Sequence, residues 1–143
     1  MLDIVETMAT SDNVIRAGLT PKLRDVPNLI AGLTYTASEA TKHTITPKAF
    51  GDHTTLYDPP IPEFSVARVN ISGEATEKHP SINGPSILIV TQGSGAIAWQ
   101  GEEGQAQEIL TEGRVFFIGA KTPVKFLTNS DLEVYRAFVQ RKT

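Results

Sequence analysis

The chain has no cysteine, three histidines and a single tryptophan among its 143 residues. Without cysteine there can be no disulfide framework, no thiol nucleophile and no thiolate-held zinc, which suits a reducing compartment. His43, His53 and His79 form neither a His-x-His pair nor a helical i, i+4 pair, and each lies in a Thr- or Pro-rich stretch. They read as surface residues, and no metal site is expected within the chain. Thirteen Lys and Arg stand against sixteen Asp and Glu, scattered rather than clustered, for a formal net charge of -3. No basic stripe is present to displace counterions, so nucleic acid is not an expected partner. No apolar run approaches the roughly 18 residues needed to cross a bilayer, and the first residues are acidic where a secretory signal is basic. The expectation is a soluble, cytoplasmic protein without a membrane partner.

What is present is enough apolar residue, 40% of the chain, for about one domain. Val26, Leu29, Ile30 and Leu33 follow the i, i+3, i+4, i+7 spacing of a helical face behind Asp25 and Pro27, which predicts one short helix over residues 25 to 33. The Thr-rich stretch from 34 to 55, broken by Pro47 and Gly51, predicts loops or short edge strands. Beyond Pro59-Pro60-Ile61-Pro62 come short runs rich in β-branched and aromatic residues at 64–71, 86–91, 96–100, 108–110, 115–118, 124–127 and 132–139. Gln92-Gly93-Ser94-Gly95 reads as a hairpin loop between two of them. Ile97 and Trp99 share a strand face, and Trp99, Phe116 and Phe117 read as core aromatics. The expected fold is all-β, a jelly roll or barrel with one short N-terminal helix, since closure hides sheet edges. Residues 1–35 would carry the site segment and helix, and 36–143 the barrel, within one compact domain.

The densest chemistry lies near the start, in Met8-Ala9-Thr10-Ser11-Asp12-Asn13-Val14-Ile15-Arg16-Ala17-Gly18-Leu19-Thr20-Pro21-Lys22. It combines an acid, an arginine, a glycine and a lysine, a set able to hold an anionic sugar. Arg16 offers a permanent, forked positive charge, and Asp12 and Lys22 could orient it or add a second cation. On spacing alone, Asp12 and Arg16 read rather as a solvated i, i+4 helix pair worth about 0.2 to 0.5 kcal/mol. Glu102-Glu103 and Asp58 are not assigned chemistry, because adjacent acids in a Gly-flanked turn point into water.

This string closely resembles the signature of the type I mannose-6-phosphate isomerases, zinc-dependent cupin enzymes that interconvert mannose 6-phosphate and fructose 6-phosphate. The resemblance continues more loosely through Leu33-Thr34-Tyr35 and the Tyr57 to Val66 stretch into a cupin-like tail. It implies a cupin-type barrel, Arg16 as the catalytic residue, and Glu6, Asp12 and Lys22 as substrate-binding residues in the same pocket. The family's zinc ligands lie ahead of the signature, so zinc is expected only in the full-length family enzyme and no cofactor in this chain. A sugar phosphate is the implied ligand. By itself the chain is expected to be inactive, and to form a homodimer through the surface that would face the missing N-terminal half. The alternative is a non-catalytic cupin module for weak sugar or sugar-phosphate binding or self-association.

Overall fold

The computed structural model describes residues 4–11, 14–16, 18–102 and 104–139. The chain divides into two units, one of residues 1–8 with 45–143 and one of residues 9–44. The smaller unit holds α1 (Val26–Ala31) and a 3-10 turn (Ala40–His43). The helix starts where expected because the Asp25 side chain accepts the Asn28 backbone N–H at 3.2 Å and a proline occupies the first turn. It is shorter than its apolar stripe, and that stripe faces solvent, with Val26, Ile30 and Leu33 each about half exposed. None of the described residues between 9 and 44 is buried.

The larger unit is an antiparallel β-sandwich closed by one long strand. Its strands are β1 (Lys48–Ala49), β2 (Thr54–Tyr57), β3 (Ser65–Ile71), β4 (Glu74–His79), β5 (Ser86–Gly101), β6 (Gly104–Thr111), β7 (Val115–Ile118), β8 (Val124–Asn129) and β9 (Leu132–Phe138). The first half of β5 lies between β7 and β9, continuing through β3 and β2 to β1, and its second half lies between β6 and β8, which pairs with β4. The two sheets are thus two halves of one strand's partners. Alternating inward residues Val69, Ile71, Leu88, Val90, Ile97, Leu110, Ile118, Val124, Phe126, Leu132 and Val134 fill the space between them. Trp99 and Phe116 pack against that cluster from its margin.

The expectation of a hairpin at residues 92–95 is corrected here. These residues are the corner of β5, with a bulge between Val90 and Gln92 in its pairing to β9. A hairpin would fold the chain back on itself, whereas Ser94 onward pairs with β6 and β8 instead. The glycines serve the bend. Gly93 has φ +77°, and a Cβ there would lie 1.9 Å from the Asp131 carbonyl oxygen. One further expectation fails, and one strand is unannounced. Phe117 is 75% exposed, because it alternates with Phe116 and Ile118 on β7 and takes the outer face. β4 was not foreseen, since Glu-Ala-Thr-Glu-Lys-His has no apolar alternation to announce a strand.

Gly93→Ala forces both a positive φ on a side-chain-bearing residue and a clash with rigid backbone. It is expected to destabilise the sandwich by at least about 1–3 kcal/mol, measured as a lowered urea midpoint with an unchanged m-value.

Candidate functional site

Of the residues marked out by the sequence, Asp12 lies outside the described residues. Arg16 is partly buried, on a stretch whose described residues 14–16 are without helix. Lys22 is exposed, just beyond a turn in which its backbone N–H donates to Thr20 Oγ1 at 3.2 Å. Glu6 is exposed and belongs to the other unit.

The polar groups that the structure does bring together are buried in the sandwich. Thr54 on β2, Glu77 and His79 on β4, Ser86 on β5 and Arg136 on β9 are each no more than 3% exposed. Arg136 donates from Nε to Ser86 Oγ at 2.9 Å, and its Nη1 lies 3.3 Å from His79 Nδ1. A guanidinium only donates, so Nδ1 accepts. Nε2 of the neutral ring then carries the hydrogen, facing Thr54 Oγ1 at 3.0 Å, and that hydroxyl donates to Glu77 Oε1 at 2.6 Å. The other Glu77 oxygen accepts the His53 backbone N–H at 3.2 Å. Gly51 leaves room for this carboxylate, since a Cβ at that position would fall 1.8 Å from Oε1. The result is a one-way line of hydrogen bonds from a buried cation to a buried acid, crossing from one sheet to the other.

Burial first, and the Arg136 charge second, push His79 down to about 4, and burial alone lowers Arg136 to about 10. The ring is also clasped by Phe50 and Phe126, with centroids 5.3 and 5.0 Å away and edge-on. The expectation of three surface histidines is corrected at this point: His79 is 2% exposed because the inward alternation of β4 places it beside Glu77. Sequence reasoning missed this line because its members are spread from 54 to 136. The one local signal was a Glu and a His two apart on what proves to be a strand.

This line is structural in its chemistry. It holds no exposed nucleophile and is roofed by aromatic rings. A cavity of about 350 Å³ bordered by Trp99, Phe116, Ile118, Thr122 and Val124 has, among the described residues, Glu102 as its one charged lining residue and no cation to meet a phosphate. Among the described residues, no helix is long and apolar enough to cross a membrane.

A nearly all-β antiparallel sandwich closed around one bent strand, with one short helix, defines a cupin-type β-domain. Residues 55–101 match the family described as phosphomannose isomerase type I C-terminal. The mannose-6-phosphate isomerase of Cryptococcus neoformans is 45% identical over 141 residues, 96% of this chain and 32% of that protein. That of Candida glabrata is 46% identical over 147 residues, 96% of this chain and 33% of that protein. A crystal structure of the Salmonella typhimurium mannose 6-phosphate isomerase, bound to substrate (f6p) and zinc, superposes with a TM-score of 0.71 at 25% identity, over 94% of this chain and 32% of that one. Residues 55–101 thus carry the C-terminal domain of the type I phosphomannose isomerase family, and the chain is similar over nearly its whole length to mannose-6-phosphate isomerases. It spans about a third of the length of the curated relatives it matches.

The residues present do not fit a zinc site. Among the described residues no three His, Asp or Glu side chains gather to share an ion. His79 presents one ring nitrogen to a guanidinium and the other to a hydroxyl, while His43 Nε2 is 2.7 Å from Ser38 Oγ in the smaller unit.

The line makes stability depend on pH. Unfolded chain takes up a proton at His79 near 6.5, folded chain only near 4, so the ring's contribution is complete above pH 6.5 and is lost as pH falls toward 4. The total is about 3 kcal/mol. Urea unfolding between pH 7 and 4 is expected to show this loss in the native chain and a flatter profile in His79→Gln, whose amide does not titrate. Equal slopes for the two proteins would remove His79 as the cause.

Proposed function

We propose that this chain is the C-terminal part of a mannose-6-phosphate isomerase, in which Arg16 is the catalytic cation and Glu6, Asp12 and Lys22 bind the sugar phosphate. Moving a proton between C1 and C2 of an aldose phosphate passes through an enediol or enediolate, with negative charge growing on two neighbouring oxygens. A guanidinium forks toward two oxygens and keeps its charge throughout. Lys22 adds a positive point for substrate oxygens or phosphate, and the acids orient groups or handle protons. The metal of such an enzyme is held by parts of it outside this chain, and the compartment is the cytoplasm.

The observation that carries this reading is the match of 96% of the chain, with the Met8 to Lys22 string inside it, to mannose-6-phosphate isomerases at 45% identity. The absence of any buried side chain among the described residues of 9–44 supports a second element of it. A segment whose described side chains are at most half-buried offers a cation little low-dielectric leverage of its own. The chain alone is therefore inactive.

The test is to co-express the chain with the first two-thirds of the Cryptococcus relative and to assay the purified pair for conversion of mannose 6-phosphate. Activity is expected from the pair and not from the chain. Arg16→Ala in the pair is expected to lower kcat roughly 10²- to 10³-fold, with Arg16→Lys recovering part of the loss. Turnover by the chain alone, or full activity in Arg16→Ala, would contradict the proposal.

A further inference from the structure

The two outer faces of the sandwich differ. On the β6-β5-β8-β4 sheet, outward positions include Lys78, Lys125, Gln100, Gln105 and Gln107, as expected of a face turned to water. The other sheet breaks that rule along one full row. Phe117 on β7 stands opposite Ile87 on β5, Ile87 opposite Ala137 on β9, Ala137 opposite Val66 on β3, and Val66 opposite Tyr57 on β2. At about 4.8 Å per strand, the row is roughly 19 Å wide. The next row adds Val115 and Ile89, paired with each other, before turning polar at Arg68. Exposure is high where the row is most apolar: Phe117 75%, Val115 60%, Ile87 57% and Ile89 38%.

Past these rows the face ends in polar groups. Arg68 Nε donates to Glu133 Oε2 at 2.9 Å, and Thr91 Oγ1 donates to Glu133 Oε1 at 2.9 Å. The apolar row is thus bordered by polar groups on the Glu133 side, and clustered exposed side chains of this size are uncommon on a free monomer.

We infer that this face, centred on Phe117 and Ile87, is where the remaining two-thirds of the isomerase chain docks, an inference that rests on the proposed function. The occupant follows from length and position. The matched family region is C-terminal, and the relatives extend about twice as far again beyond the part this chain covers. A surface that must be covered in the whole enzyme is left open when only this third is present. The row belongs wholly to the larger unit.

The test uses the same co-expressed pair, with capture through a tag on the N-terminal two-thirds and hydrogen exchange of β5 and β7 as readouts. Phe117→Lys and Ile87→Lys are compared with Ile109→Lys, an equally exposed apolar residue on the opposite face. All three sites are exposed, so the thermal midpoint of the isolated chain serves as the folding control. Native chain and Ile109→Lys are expected to be captured, with slowed exchange at β7, and capture of Phe117→Lys and Ile87→Lys is expected to fall at least tenfold. Capture of all three variants alike would overturn the inference, as would no capture of the folded native chain. So would a homodimer through this face that the N-terminal part does not displace. Capture without isomerase activity would sink the catalytic reading alone, whereas activity retained in Phe117→Lys would sink this inference alone.

Discussion

The corner in β5 is the constraint on which the sandwich depends. Because one strand supplies the middle of both sheets, its bend at residues 90–95 fixes how the two inner faces meet, and so which alternating residues form the core. Val90 and Leu88 before the corner and Ile97 after it reach the same cluster only because the strand turns. The bulge and the positive φ of Gly93 make that turn without breaking the ladder. Opposite this covalent hinge, the hydrogen-bonded line from Arg136 through His79 and Thr54 to Glu77 ties β9 and β2 of one sheet to β4 of the other. A buried cation and a buried acid are costly, and truncating one member leaves the others unsatisfied. The line therefore specifies one way for the sheets to meet more than it adds net stability.

The buried core and the signature residues sit in different parts of the molecule. The sandwich interior is filled with apolar side chains and a polar line whose donors and acceptors are matched, which leaves no reactive group there to offer a substrate. The signature residues lie instead near the start of the chain, Arg16 and Lys22 on a unit without a buried side chain among its described residues. A catalytic cation acts through fixed placement in a water-poor site. Under the proposed function that placement comes from the rest of the isomerase, and the apolar row on the outer sheet is the face inferred to meet it.

Much of the fold was legible in the sequence. The run at 115–118 coincides with β7, and those at 64–71, 124–127 and 132–139 differ from β3, β8 and β9 only at their ends, because β-branched and aromatic residues bounded by Gly, Asn and Asp mark strands directly. β5 was read as two strands because Gly93 and Gly95 signal a bend equally well whether the chain reverses or merely turns a corner. β4 escaped because Glu77 and His79 are inward residues held by partners distant in sequence, a pattern hydrophobic alternation cannot reveal. Phe117 shows the same limit in reverse, since an aromatic in a strand declares burial but not against what. The Arg16 segment was legible only through its resemblance to a family, as spacing alone favours a surface helix pair.

Hydrogen exchange of the native chain, followed segment by segment without denaturant, tests most directly whether the sandwich stands alone while the site segment does not. The account predicts that amides in β3, β5 and β9 exchange only through global unfolding, while residues 9–44 exchange through local opening at free energies near zero. Protection of residues 9–44 equal to that of β5 would show that this chain fixes its own site, and would contradict the account.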